Sequence, residues 1–184
     1  MPRTHLTRPL RVAGVAAALG ASLVLTGCGF DAQTLQPYTP AQGVNADVLD
    51  GPLVRNILVI ANAAGKGQLS ASLLSAKGDT LTSVSGTASK PDGSPASTLQ
   101  VTGAPASGGV GAAAAFAPVA LPAGELVVLT SPATPVFVSS ADLKPGLDAK
   151  LMLTFSSGAQ QTITVPVVDA ANPIYASVAP TLQG

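Results

Sequence analysis

The chemistry open to this chain is narrowed by the residues it lacks. Its 184 residues include one cysteine, Cys28, one histidine, His5, and two methionines, Met1 and Met152. Beyond residue 28 there is no histidine and no cysteine. Ser–His and Cys–His nucleophile–base pairs therefore have no members there, and neither does thiol catalysis. Zinc loses its nitrogen and sulfur ligands. No Gly-x-Ser-x-Gly elbow and no Asp-x-Asp-x-Asp-Gly calcium loop occurs. Paired carboxylates, as used in glycoside hydrolysis, are what is left. The candidates are Asp79, Asp92, Glu125, Asp142, Asp148 and Asp169. Most stand beside Gly, Pro or Lys, where Asp commonly shapes a turn. The chain has no Trp to stack on a sugar. The reading is of a protein that is not an enzyme, with no catalytic residue, no metal ligand set and no cofactor.

Charge removes another class of partner. Nine cations balance nine carboxylates, but Arg3, Arg8 and Arg11 all fall at the start. After Cys28 six cations face nine carboxylates, a net charge of −3 with no basic cluster. Nucleic acid is therefore not expected as a partner. The Gly-rich run 103–115 (GAPASGGVGAAAA) lacks the Lys and Ser/Thr that let a glycine loop hold phosphate, so it reads as a loop.

The first 27 residues read as an address. Residues 1–11 are basic and carry no acid, and residues 12–25 (VAGVAAALGASLVL) are almost wholly apolar. That run is shorter than the roughly 20 residues that span a bilayer, as in a secretory signal peptide. It ends at Leu25-Thr26-Gly27-Cys28, which resembles the lipobox of bacterial lipoproteins. The resemblance implies cleavage between Gly27 and Cys28, lipid on the Cys28 sulfur and acylation of the new N-terminus, palmitate among the acyl groups. The expected location is the extracytoplasmic face of the cell membrane, with the membrane itself as a partner through that lipid. Residues 28–43 read as a tether. With Cys28 lipidated, the exported part has no intrachain disulfide and must rely on its core.

The elements that fill that core are strands. Only 10% of residues are charged and 3% aromatic, while 47% are hydrophobic, so the apolar content is Ala, Val and Leu rather than large rings. Apolar or alternating runs at 53–61, 68–75, 80–86, 97–102, 115–120, 125–130, 135–140, 148–155 and 160–168 are separated by Gly, Pro, Asn, Asp and Ser clusters. Leu69, Ala71 and Leu73 share a face, as do Leu151, Leu153 and Phe155, with Met152 and Thr154 opposite. Leu81 and Val84 change phase, which suggests a bulge. No long 3.6-residue stripe appears. Eight or nine strands spaced about ten residues apart predict an all-β sandwich over 44–170, after an N-terminal signal helix. Residues 171–184 are expected to be a flexible C-terminal tail.

The C-terminal runs carry a family likeness. Leu121-Pro122-Ala123-Gly124, then Leu143-Lys144-Pro145-Gly146, Leu151-Met152-Leu153-Thr154-Phe155 and Thr162-Ile163-Thr164-Val165-Pro166-Val167 resemble the periplasmic copper(I) chaperones of the PCuAC type. They resemble more closely the actinobacterial lipoproteins of the LpqE-like branch. The likeness spans about residues 44–168. It implies a Greek-key sandwich of cupredoxin or immunoglobulin type, and copper(I) held by His and Met. The family's His-x-Met segment falls at about 133–138, which here reads Ala-Thr-Pro-Val-Phe-Val. Copper(I) wants several soft donors at once, and Met152 alone does not supply them.

The expected function is thus a membrane-anchored, non-catalytic binding or structural module of the cell envelope. Another envelope protein is its expected partner, contacting an edge strand or the loop at 103–112. The alternative is a copper or small-ligand carrier in the PCuAC mould.

Overall fold

The computed structural model describes residues 42–103, 115–175, 177–179 and 182. The expected signal peptide, most of the tether and most of the Gly-rich loop lie outside these. The described residues form eleven strands and one short 3-10 turn, so the all-β expectation holds with more strands than the eight or nine anticipated. The strands are β1 (Val44–Asp47), β2 (Leu53–Ala61), β3 (Lys66–Leu74), β4 (Asp79–Ser89), β5 (Pro95–Thr98) and β6 (Gln100–Thr102). They continue as β7 (Val119–Leu121), β8 (Leu126–Val128), β9 (Phe137–Ser139), β10 (Asp148–Phe155) and β11 (Gln160–Asp169).

The strands pair in the order β5-β4-β10-β11-β2-β3-β9-β6, with β7 beside β4, β1 beside β2 and β8 beside β3. This path folds into two layers because β11 belongs to both. Its first part pairs antiparallel with β10, from Gln160↔Thr154 to Pro166↔Asp148. Its last three residues pair parallel with β2, from Val167↔Val59 to Asp169↔Ala61. The changeover falls at Pro166, whose ring nitrogen has no hydrogen to give to a ladder. A second crossing joins β5 to β6. The expected strand at 97–102 divides at buried Leu99, with β5 pairing to β4 and β6 to β9 in the other layer.

Alternation puts one apolar row of each layer into the space between. Leu69, Ala71 and Leu73 of β3, Leu151, Leu153 and Phe155 of β10, and Ile163, Val165 and Val167 of β11 are all buried in one cluster. The phase change in β4 is a bulge. Thr154 pairs with Ser83 while Phe155 pairs with Leu81, so Thr82 is the extra residue and both Leu81 and Val84 reach the core. A second bulge, in β2, centres on Asn56, which sits at φ 50°. Asn tolerates this left-handed region better than most residues, and its side chain accepts the Gly43 N–H at 2.9 Å. The Asn56 N–H in turn goes to the Asn45 side chain at 2.8 Å, which ties β1 to the bulge.

β2 is apolar on both faces because both are covered at its C-terminal end. Leu58 and Ile60 point away from the main core and pack with Ala170, Tyr175, Ala179 and Leu182. The segment expected to be a flexible tail therefore supplies three buried side chains past Ala170. Tyr175 also donates its hydroxyl to the Gln42 side chain. A tail reading misses this because Tyr175, Ala179 and Leu182 are too sparse to show a strand or helix period.

Candidate functional site

Among the described residues, polar side chains from distant parts of the chain converge around Asp79, the first residue of β4. Asp79 Oδ1 accepts the Thr80 N–H at 2.7 Å, the Ser156 hydroxyl at 2.6 Å and the Ser157 N–H at 3.1 Å. Its Oδ2 accepts the Ser157 hydroxyl at 2.7 Å. Ser156 and Ser157 form the tight connection between β10 and β11, which Gly158 closes at φ 87°. Asp79 thus pins the start of β4 to a hairpin more than 70 residues away. Beside it lies an open cleft of about 330 Å³ lined by Asp50, Gly51, the turn from Ser75 to Gly78, and Ser157.

The electrostatics of Asp79 are those of a clamp and not of an acid catalyst. Partial burial pushes its carboxyl up, but the hydroxyls of Ser156 and Ser157 and the N–H groups of Thr80 and Ser157 outweigh this and hold it at about 2. A glycosidase acid needs the opposite shift. The linkage sign follows from the depressed value. The folded state binds fewer protons, so the stabilisation is present above the unfolded value of 3.8 and is lost as pH falls through about 2. Solvent screening at this partly exposed site brings the contribution to about 1 kcal/mol. Asp79→Asn is expected to lower the urea unfolding free energy by about that amount at pH 7. It is also expected to flatten the fall in stability between pH 4 and pH 2 relative to wild type.

The other carboxylate candidates are not brought together. Asp92 caps the turn before β5, accepting the Ser94 N–H at 2.9 Å and its hydroxyl at 2.7 Å. Asp169 ends β11 and accepts the Ala171 N–H at 2.9 Å. Glu125, Asp142 and Asp148 are exposed at separate turns and strand ends. Among the described residues no group of three or more His, Cys, Asp or Glu side chains is placed to hold a metal ion.

The segment at 133–138 lines a small hollow of about 110 Å³ through Ala133, Thr134 and Pro135, opposite Gly103, Ala117, Pro118 and Val119. None of these side chains is a soft donor. Met152 stands in the middle of β10, paired with Ser85 on one side and Thr162 on the other, and 39% exposed. Its ladder neighbours give hydroxyls and no thioether or imidazole. By donor type, these described residues do not fit a copper(I) site. Leu25, Thr26, Gly27 and Cys28, the expected lipobox, cleavage site and lipidation site, lie outside the described residues.

Sequence reasoning missed a surface. Leu53 of β2 pairs with Leu74 of β3, and Leu74 with Leu126 of β8, so these three side chains form one row on the outer face of their layer. Arg55, Ser72 and Val128 make the next row. Leu126 is 62% exposed and Leu49, in the adjoining loop, 86%, with Leu53 and Val128 also open to solvent. Continuous apolar runs carry no sign of which positions stay uncovered.

No family model matches the chain, and no curated protein does. Among solved structures, the apo PCuAC domain from PmoF1 is similar at 18% identity and a TM-score of 0.49, covering 68% of this chain and 98% of that one. The copper-bound PCuAC domain from PmoF2 gives 16% and 0.47, over 68% of this chain and 98% of its own. Its apo form gives 19% and 0.47, over 70% and 97%.

Proposed function

We propose that this protein is an exported lipoprotein that presents a non-catalytic β-sandwich at the outer face of the cell membrane, as a binding module for another envelope protein. The observation that carries the proposal is a pairing of two features. A signal-like N-terminus ends in a single cysteine, and the described domain after it has no reactive constellation but does have an uncovered aliphatic sheet face. The converging polar cluster at Asp79 is consumed in holding two turns together. Such a body offers shape and hydrogen-bonding edges, which are what protein recognition uses. The LpqE-like branch, with its copper ligands lost, is the family this reading favours, on the sequence runs quoted above.

The metal-carrier alternative rests on the sequence likeness to PCuAC chaperones, and a fold hosts many functions. It is separable by titration. Copper(I) added to the purified protein under reducing conditions is expected to give no saturable binding, and Met152→Leu is expected to change nothing. Stoichiometric binding abolished by Met152→Leu would replace the present proposal with the carrier. The binding reading itself is tested by proximity labelling in intact cells from the full chain. A reproducible set of envelope proteins above a lipid-anchored control domain supports it, and labelling no different from that control overturns it.

A further inference from the structure

The aliphatic face around β8 has features that specify its occupant. We infer that β8 and the face beside it dock an extended segment of a partner protein, which adds a strand at the β8 edge and carries basic residues. The inference rests on the binding-module reading and locates its site.

Three observations point to a strand. First, β8 is bonded to β3 on one side only among the described residues. Leu129 N–H donates to Ala71 O at 2.9 Å, so by alternation the backbone of Leu126 and Val128 faces away from β3. Val128 O takes the Ser131 N–H at 3.1 Å. Among the described residues the Leu126 N–H and C=O and the Val128 N–H have no backbone partner. A lipid acyl surface offers those groups no hydrogen bond; a polypeptide backbone does. Second, the exposed side chains of the edge strand itself, Leu126 and Val128, are aliphatic, and the Leu126 row continues inward through Leu74 to Leu53. Strand addition gains specificity where alternate residues of the incoming strand meet such contacts. Third, the patch is narrow. A standard protein–protein interface takes roughly 20–30 residues per side, far more than this face offers, so it suits one strand and not the flat face of a second copy.

Charge selects among strands. Glu125, next to Leu126, is the one charged residue between Ala115 and Ser139, and Arg55, in the row of Ser72 and Val128, is held by Asp47 at 2.6 Å. Carboxylate is in excess, which favours a basic segment. It disfavours an anionic lipid surface and a second copy of this acidic domain.

The test uses the full chain purified in detergent and two fluorescent eight-residue probes, one alternating Val with Lys and the other Val with Glu. The Val/Lys peptide is expected to bind saturably and the Val/Glu peptide at least tenfold more weakly. Leu126→Lys with Val128→Lys is expected to abolish Val/Lys binding while urea unfolding stays at the wild-type midpoint. An N-methylated Val/Lys peptide, which lacks half its backbone donors, is expected to fail. Equal binding of both charge forms, undiminished binding to the double variant, concentration-dependent dimerisation through β8, or binding of the protein to phosphatidylglycerol vesicles through Leu126 would each overturn the inference. Photo-crosslinkers placed at Val128 and Val101 in cells separate this failure from that of the broader reading. Adducts at Val101 alone sink the β8 site and leave a binding module; adducts at neither position sink both.

Discussion

Phe155→Ala is expected to remove about 3–5 kcal/mol of unfolding free energy, a large part of the roughly 5–15 kcal/mol that a domain of this size possesses. Phe155 closes β10, is 2% exposed, and belongs to the cluster between the two layers with Leu81, Leu151 and Leu153. Those neighbours sit on strands held by ladder bonds on both sides, so they cannot collapse into the space a missing ring leaves. The chain has only four Phe and two Tyr, and small aliphatic side chains do not refill a ring-sized void. The matched control is Met152→Ala on the opposite face of the same strand, expected within about 0.5–1 kcal/mol of wild type. Urea unfolding of the two variants measures the difference directly. A Phe155→Ala cost below about 1 kcal/mol would mean that β10 does not bury the face assigned to it.

That contrast rests on a period-2 pattern that is legible in the residues themselves. β10 begins at Asp148 and ends at Phe155 as expected, and β2 runs from Leu53 to Ala61 as expected, because alternation or a bounded apolar run defines each. Legibility weakens where tertiary geometry takes over from local pattern. The strand expected at 115–120 is only Val119–Leu121, since Pro118 gives no ladder donor. The strands expected at 125–130 and 135–140 shrink to β8 and β9 around the run Thr130-Ser131-Pro132-Ala133-Thr134-Pro135, although Leu129 and Val136 still reach the core and bond to β3. β1 is a four-residue strand, Val44-Asn45-Ala46-Asp47, too short to announce itself; Val44 and Ala46 pack against the core and the Asn45–Asn56 bond ties it to β2.

The candidate site divides in the same way. Asp79 is legible as a turn former, and it does start β4 after the Lys77-Gly78 turn. Its four accepted bonds are not, because Ser156 and Ser157 lie 77 and 78 positions away. The aliphatic face is illegible for a different reason. Leu53 and Leu58 look alike in sequence, yet Leu58 is covered by residues past Ala170 and Leu53 is not. Which half of an outer face is bare depends on where a distant segment lands, and no period in β2 encodes that.

Cys28→Ala is expected to move the protein out of the membrane fraction, with partition into a detergent phase falling about tenfold or more. The physics is additive over methylenes, at about 0.8 kcal/mol for each one buried. One acyl chain holds a protein only marginally, while the several chains implied at a lipidated N-terminal cysteine hold it stably. Nothing in the described domain substitutes for them. Among the described residues no helix is long and apolar enough to cross a membrane. The net charge of −3 after Cys28 repels anionic headgroups rather than adding the roughly 1 kcal/mol per basic residue that surface attraction supplies. The charged residue beside β8 is a carboxylate, Glu125, which works against docking on the same headgroups. Intact mass spectrometry of the wild-type protein is expected to show a chain beginning at Cys28 and heavier by its acyl groups. A variant that loses those groups but stays in the membrane with Met1 intact would show that residues 12–25 act as the anchor. Wild-type chains that are unacylated would remove the lipid from the proposal and leave the domain's address unexplained.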